Sequence, residues 1–394
     1  MSDAAKIRRI GVVVPAHIEL ARSILHGVRS FCMAHPGVSM NLISASPNWE
    51  ELARHRHSTD CIVAHISCPE TIRLLSGITP HVVVTSNRMA LDGVGRVIND
   101  DPAVGRMGAE YFLRRGFRTL AFLQAEGVDG LSPAFFQFAV EREKGFLEAA
   151  AKGGATVHLF ARHSQERSPE LVEKLLALPK PVGVMTSSDL HARWLIEAME
   201  DPRKLVPQRL SILGVDNDSL ENVLSPLTIS SVCPSGKRIG YEAAALGIRL
   251  VEGAPTPDQP MSIGPVRIVT RQTTSIFAVS DPLVLKALRI IGERHGEAFH
   301  TTDLVQSLGT SRRTLELHFR KYLGSTPAKE LLHARIQRVT ELLATTSLSI
   351  KEIAYLSGFS EPRLLSRCFL QMTGERPSAY RERILGEAAE TSHS

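Results

Sequence analysis

Along residues 7 to about 277, short β-branched and aliphatic runs recur at intervals filled by amphipathic stretches of helical length. The strand candidates are IGVVV (10–14), MNLIS (40–44), CIVAH (61–65), HVVVT (81–85), TLAFL (119–123), TVHLF (156–160), VGVMT (182–186) and SILGV (211–215). Between them lie Ile18–Ala34, Gly105–Arg115, Gln137–Lys152, Ser168–Leu178 and Leu190–Asp201, each long enough for several helical turns. Near-continuous apolar strands separated by helices predict parallel sheets covered on both faces. The series is longer than one doubly wound sheet needs, so it predicts two such lobes. Ile276–Pro282 follows neither period and ends in Asp-Pro, a boundary signal. Beyond it the β-branched runs stop, and Leu283–Arg383 reads as helices punctuated by glycine and proline. The expected organisation is therefore a two-lobed α/β domain over 7–277, a linker at 278–282, an all-α domain over 283–386 and a flexible tail at 387–394.

The helical region repeats itself. DLVQSLGTSRRTLELHFRKYLGSTP (303–327) and EIAYLSGFSEPRLLSRCFLQMTGERP (352–377) share their punctuation. Gly309 matches Gly358 and Ser311 matches Ser360; after a one-residue insertion Leu315, Phe319, Gly324 and Pro327 match Leu365, Phe369, Gly374 and Pro377. Each copy predicts a helix-turn-helix. A short helix stops at a glycine able to turn left-handed, and a serine then caps the next helix. The Leu and Phe four residues apart share the buried face of that second helix. Its N-terminal half is left free to present Arg312, Arg313 and Glu316 in the first copy, and Glu361, Arg363, Ser366 and Arg367 in the second. Ser349-Ile-Lys-Glu352 reads as a capping box, and Pro327–Thr345 as a long basic helix between the units.

Charge supports this division. The 394-residue chain has a net charge of +5, with 43% hydrophobic and 22% charged residues, a composition that argues against disorder. Between Leu283 and Gly386 there are 16 Lys and Arg against 10 Asp and Glu, so the whole positive excess sits in the last quarter. That is the footprint of a phosphate-binding module, with double-stranded DNA as its partner. The five cysteines (Cys32, Cys61, Cys68, Cys233, Cys368) have no C-x-x-C spacing, and an odd number suits a reducing compartment. The N-terminal apolar run ends at Pro15 and reads as a first strand rather than a signal peptide. No stretch approaches the ~20 apolar residues of a membrane span. A cytoplasmic protein without a membrane partner is expected.

In the α/β half, the residues to inspect are polar ones just after strands, where two-lobed α/β proteins bind small ligands. These are Pro15–Arg22, Asn99-Asp100-Asp101, Ser187-Ser188-Asp189 and Asp216-Asn217-Asp218, with Arg142 expected to begin a helix facing the same cleft. Carboxylates with Arg and Ser or Asn suit sugar hydroxyls, which both donate and accept. An Asp or Asn after a strand also serves as a helix cap, and that reading stands beside the first.

Two resemblances add to this. IKEIAYLSGFSEPRLLSRCFLQMTGERPSAYR resembles the DNA-binding domain of the arabinose-regulator (AraC) family, which implies two recognition helices entering successive major-groove segments. It places Arg313, Glu316, Arg363 and Arg367 at base-reading positions, where Arg suits bidentate contact with guanine. REKGF (142–146), SSDLHARWLIEA (187–198) and LSILGVDNDSLENVLSPLTISSV (210–232) resemble the lactose-repressor and periplasmic sugar-binding superfamily. With IGYEAA (239–244) and GPVRIVTRQTT (264–274), the whole order resembles xylose-operon activators. That resemblance implies a sensor for xylose or a similar monosaccharide, with Arg22, Asp100, Arg142, Ser188, Asp189 and Asp216 lining the cleft. It further implies a homodimer that acts on RNA polymerase as an activator.

Other chemistries lack their motifs. No G-x-G-x-x-G follows a strand, and no G-x-x-x-x-G-K-[ST], H-E-x-x-H, Cys/His cluster or G-x-S-x-G elbow is present, so no cofactor or metal is expected. The remaining alternatives are a sugar-converting α/β enzyme fused to a DNA-binding domain, and a constitutive DNA-binding protein whose first domain only dimerises.

Overall fold

A computed structural model describes residues 7–43, 55, 58–66, 69–86, 93–125, 137–162, 168–276, 278–279, 281–294, 296–297, 299–346, 348–373 and 375–385. The expected tail at 387–394, Cys68 and Gly374 lie outside these residues. The chain divides into two compact units, one of Met1–Phe112 with Arg118–Ile276 and one of Leu113–Phe117 with Phe277–Ser394.

The larger unit contains two six-stranded sheets. The first is ordered β11-β5-β4-β3-β1-β2, from β1 (Arg8–Val13), β2 (Val38–Ile43), β3 (Cys61–Ala64), β4 (Val82–Val84), β5 (Gly95–Asn99) and β11 (Met261–Ile263), all parallel. The second is ordered β12-β10-β9-β8-β6-β7, from β6 (Thr119–Ala125), β7 (Thr156–Arg162), β8 (Val182–Thr186), β9 (Leu210–Val215), β10 (Ser230–Cys233) and β12 (Arg267–Val269). Among the described residues, only the β10–β12 pair is antiparallel. Central strands are buried along their whole length, as in β3, β8 and β9, because helices cover both faces. The chain passes between the lobes three times: after β5, after β10 and between β11 and β12. In each sheet the strand order reverses beside the first strand, at β1/β3 and at β6/β8. That is where α/β sheets open a crevice at their carboxyl ends.

Helix α1 (Glu19–Ala34) packs on α2 (Gly236–Val251) of the same lobe. A Cβ at Gly27 would lie 1.9 Å from the Lys237 carbonyl oxygen, and one at Gly240 1.9 Å from that of Ile24. Ile10, Val12, Ile24, Val28, Val63, Val83, Ile239 and Ala243 make the core between this pair and the sheet. The second lobe buries Leu123, Val182, Val184, Leu195, Ile212 and Ile229.

The smaller unit is helical among its described residues: α3 (Pro282–Arg294), α4 (Thr301–Leu308), α5 (Arg312–Leu323), α6 (Pro327–Thr345), α7 (Ile350–Leu356), α8 (Pro362–Thr373) and α9 (Pro377–Leu385). Helix α3 lays Val284, Ala287, Leu288 and Ile291 on Leu304, Leu315, Phe319 and Leu331. Its first turn is fixed by Asp281, which accepts from the Val284 N–H at 2.9 Å and meets His318 Nδ1 at 3.0 Å.

Candidate functional site

Arg142 organises the cleft. It sits on α10 (Gln137–Lys152), one turn in rather than at the start as the sequence suggested, and is 3% exposed. Asp101 opens α11 (Asp101–Arg114), which lies against α10 with glycine on both sides. A Cβ at Gly105 would stand 1.8 Å from the Arg142 carbonyl oxygen, and one at Gly145 1.9 Å from that of Pro102. This approach lets Arg142 Nε donate to Asp101 Oδ1 at 2.8 Å. Arg142 Nη1 donates to the Ser187 carbonyl, Nη2 lies 3.7 Å from Asp216 Oδ1, and the guanidinium is 4.9 Å from the Phe138 ring centroid. Burial pulls the guanidinium pKa down, but Asp101 and Asp216 outweigh it and leave the group more basic than usual.

Asp216 and Asn217 follow β9 with φ of 101° and 55°, both left-handed and neither glycine. Such backbone costs of order 1–3 kcal/mol per residue and persists only where the surroundings hold it. Three amides are held in succession: Asp216 N–H to Val232 O (2.9 Å), Asn217 N–H to Ser231 Oγ (2.8 Å) and Asp218 N–H to Asp189 Oδ2 (2.7 Å). Arg271 Nη2 donates to Asn217 Oδ1 at 2.6 Å. Burial pushes the Asp216 carboxyl up to about 6 against the opposing pull of Arg142. Asp189 is 1% exposed; burial, and then the charge of Asp216, drive its carboxyl well above the usual range. Gly214 makes room for it, since a Cβ there would meet Asp189 Oδ1 at 2.0 Å.

The two lobes meet at Arg22. Its Nη1 donates to the Ala16 carbonyl at 2.8 Å and its Nη2 to Glu19 Oε2 at 2.7 Å, while Nη2 also lies 3.6 Å from Asp218 Oδ1 of the other lobe. Asp218 caps the short helix Ser219–Leu224, accepting from the Leu220 N–H.

Of the six cleft residues expected from sequence, Arg142 and Asp216 come together, Asp189 lies beneath them and Arg22 approaches from the opposite lobe. Asp100 takes the cap role instead: Oδ1 accepts from the Ala103 N–H at 2.8 Å, and its neighbour Asp101 holds Arg142. Ser188 Oγ meets His191 Nδ1 at 2.7 Å on its own helix. Asp101, Asp218 and Arg271 belong to the cluster but are not among the six residues that the resemblance implies. The first two sit in the polar triplets after strands; Arg271 follows β12, with no apolar run after it to mark it.

In the helical unit, Gly309 (φ 61°) and Gly358 (φ 73°) turn left-handed at matching places, and Ser311 Oγ caps the Thr314 N–H at 3.0 Å. Ser349 and Glu352 form the reciprocal capping box. Leu315, Phe319, Leu365 and Phe369 are completely buried. This leaves Arg312, Arg313, Arg363 and Arg367 exposed on the two second helices. Arg312 Nε pairs with Glu316 Oε1 at 2.9 Å. Arg367 lines a cavity with Ile350, Ser366, Leu370, Arg376, Pro377 and Ser378, at the N-terminus of α9. Arg335, on the connecting helix, turns inward and donates to the Phe299 carbonyl at 2.5 Å.

The family profile of the periplasmic binding protein-like domain matches residues 109–274, and that of the helix-turn-helix domain matches 304–383. A two-lobed ligand-binding domain joined to a helix-turn-helix domain defines a ligand-responsive, DNA-binding transcription regulator. Among known proteins, the Msm operon regulatory protein of Streptococcus mutans is 32% identical over 225 residues, 53% of this chain and 75% of that protein. The chain belongs to its family of operon regulators. The Xylose operon regulatory protein of Haemophilus influenzae is 28% identical over 335 residues, 82% of this chain and 85% of that protein. The match to the Escherichia coli protein of the same name spans 64% of that protein's length.

A solved xylose-binding transcription activator shares the fold with a TM-score of 0.57 at 23% identity, covering 95% of this chain and 97% of its own. A LacI-family regulator from Enterococcus faecium with bound ribose gives 0.54 at 19% identity over 68% of this chain and 98% of its own. These matches correct the arabinose-regulator assignment: the chain joins a periplasmic-binding-protein-like domain with the fold of LacI-type regulators to a helix-turn-helix domain. The motif behind that assignment covers about a hundred residues and establishes a helix-turn-helix domain, whereas the larger domain follows the LacI-type pattern. The relative and the solved structure that match most of this chain are regulators rather than enzymes. Among the described residues, no helix is long and apolar enough to cross a membrane.

Proposed function

We propose that the chain senses xylose or a closely similar monosaccharide in the cleft and adjusts operator binding accordingly. The observation that carries this is the Arg142 guanidinium, buried between Asp101 and Asp216, with the Asp216 side chain 18% exposed beside it. A fixed donor next to a carboxylate acceptor matches the donor–acceptor character of adjacent sugar hydroxyls. The names of the H. influenzae relative and of the solved xylose-binding activator favour a pentose. Arg22, on the facing lobe, supplies a second donor. The sugar acts through unequal affinity for the open and closed lobes. We further propose a cytoplasmic homodimer, linked to its DNA-binding domain through 278–282 and activating transcription through RNA polymerase.

A thermal-shift screen of pentoses and hexoses tests the sensor. Xylose is expected to raise the melting temperature of the wild type and leave Asp216→Ala unmoved. An unresponsive wild type would remove the sugar reading, and an equal response by the variant would remove Asp216 from the site.

On the DNA side, Arg363 is exposed in the first turn of its helix, whereas Arg367 shares its cavity with Arg376 and a helix N-terminus. We assign base reading to Arg363 and phosphate contact to Arg367. Arg363→Ala is expected to cost about 1–3 kcal/mol on operator DNA and little on random DNA. Arg367→Ala is expected to weaken both alike and flatten the salt dependence. Titration of operator and scrambled duplexes at several salt concentrations separates the two.

A further inference from the structure

The loop that presents Asp216 has an unusual requirement. Two successive L-residues, Asp216 and Asn217, hold positive φ in a place where no glycine relieves them. The Val232 carbonyl holds the Asp216 amide, and the Ser231 and Asp189 side chains hold those of Asn217 and Asp218, but Arg271 alone among the described residues anchors the Asn217 side-chain oxygen. Arg271 Nη2 donates to Asn217 Oδ1 at 2.6 Å, while its Nη1 donates to the Ile229 carbonyl at 2.7 Å. The Arg271 backbone N–H is in turn tied to Ser230 Oγ at 2.7 Å. The guanidinium thus bridges the loop to the residue just before β10, one planar fork on two acceptors. Without that bridge, Asn217 is free to relax toward negative φ, and the carboxylate one residue before it turns away from Arg142.

We propose that Arg271 is a positioning residue for the cleft: it holds Asn217 left-handed and thereby aims Asp216 at the ligand. The proposal rests on the sugar-sensing reading for its functional consequence, and on the loop geometry for its physical one. In this role Arg271 acts through Asn217 rather than on the ligand. Its effect is therefore replaceable by anything that makes the left-handed conformation free of strain, and glycine does so.

The experiment uses the full chain with Arg271→Ala, Arg271→Lys and the double variant Arg271→Ala/Asn217→Gly. Xylose affinity is measured by calorimetry, and amide exchange of the peptide spanning Asp216–Asp218 by mass spectrometry. Arg271→Ala is expected to weaken xylose about tenfold or more and to speed exchange in that peptide. Arg271→Lys, a point charge reaching one acceptor, falls between, and carries the comparison if the alanine variant does not fold. Adding Asn217→Gly is expected to return affinity to within about threefold of wild type with no contact restored. Wild-type affinity and exchange in Arg271→Ala, or a double variant as weak as the single, would overturn the proposal. If the wild type binds no pentose, the sugar reading falls, and the exchange measurements alone decide the role of Arg271: unchanged exchange rejects it, and faster exchange reversed by glycine sustains it.

Discussion

Arg142→Met is expected to lower the unfolding free energy by about 3–5 kcal/mol, the typical cost of stranding one side of a buried ion pair. The cationic side chain is 3% exposed and faces Asp101, itself 2% exposed, and Asp216. Methionine fills much of the volume but leaves both carboxylates without their counter-charge and the Ser187 carbonyl without a donor. Removing one of the orphans as well should recover much of the loss, so Arg142→Met/Asp101→Asn is expected to be more stable than the single variant. Urea unfolding of the three proteins measures this, and equal midpoints would show that the pair contributes nothing. The deficit also depends on pH. Loss of Arg142 removes the pull that opposes burial at Asp216, so that carboxyl rises further. A carboxyl raised in the folded state costs stability above its folded pKa and nothing below its unfolded one. The deficit is therefore expected to be larger at pH 8 than at pH 5.

Asp216→Asn should act in the opposite direction on the ligand-free protein. The carboxyl titrates at about 6 when folded, above the ordinary carboxylate value of about 4. Between those values the folded chain holds a proton that the unfolded chain has released, so wild-type stability falls as pH rises through the window. A shift of about two units corresponds to roughly 2–3 kcal/mol above pH 6. Asparagine carries no such charge. The variant is expected to unfold at higher denaturant than wild type at pH 7.5, to match it near pH 4, and to lose at least tenfold in xylose affinity. A pH series of melts that runs parallel for the two proteins would contradict the reading. Such an exchange of stability for binding is common where a site holds a desolvated charge.

Much of the architecture was legible because its signals are local. β3, β8 and β9 are apolar runs of strand length, and the duplicated Gly–Ser–Leu–Phe punctuation marks turns, caps and buried faces directly. What escaped is tertiary. Helix α2 carries Gly240 and Gly247, which read as helix breakers along the chain. Packing explains the first, since Gly240 is where the Ile24 backbone lies against the helix. β10 is SSVC, too polar for an apolar run; its serine hydroxyls serve Arg271, Asn217 and Thr274. In the cleft, sequence found the triplets but could not choose within them. Asp100 and Asp101 are neighbours of identical chemistry, and which one caps and which one pairs depends on how closely α11 approaches α10. The arabinose-regulator assignment failed for a different reason: a short, strongly punctuated motif identifies a helix-turn-helix but not the family of the chain, whose larger domain resembles the lactose-repressor superfamily.

The contact of Arg22 with Asp218 bears on how quiet the regulator is when no inducer is present. A charge pair of this exposure is worth roughly 0.2–1 kcal/mol, which multiplies the closed population by about 1.4- to fivefold. Under the proposed sugar-sensing mechanism, that closed fraction sets the background output from the promoter when sugar is absent. Selection for a tight off-state would therefore weaken this pair, whereas selection for a sensitive response at scarce sugar would keep it. Leakiness and sensitivity are coupled through two side chains on opposite lobes, and neither property can be tuned at that position without moving the other.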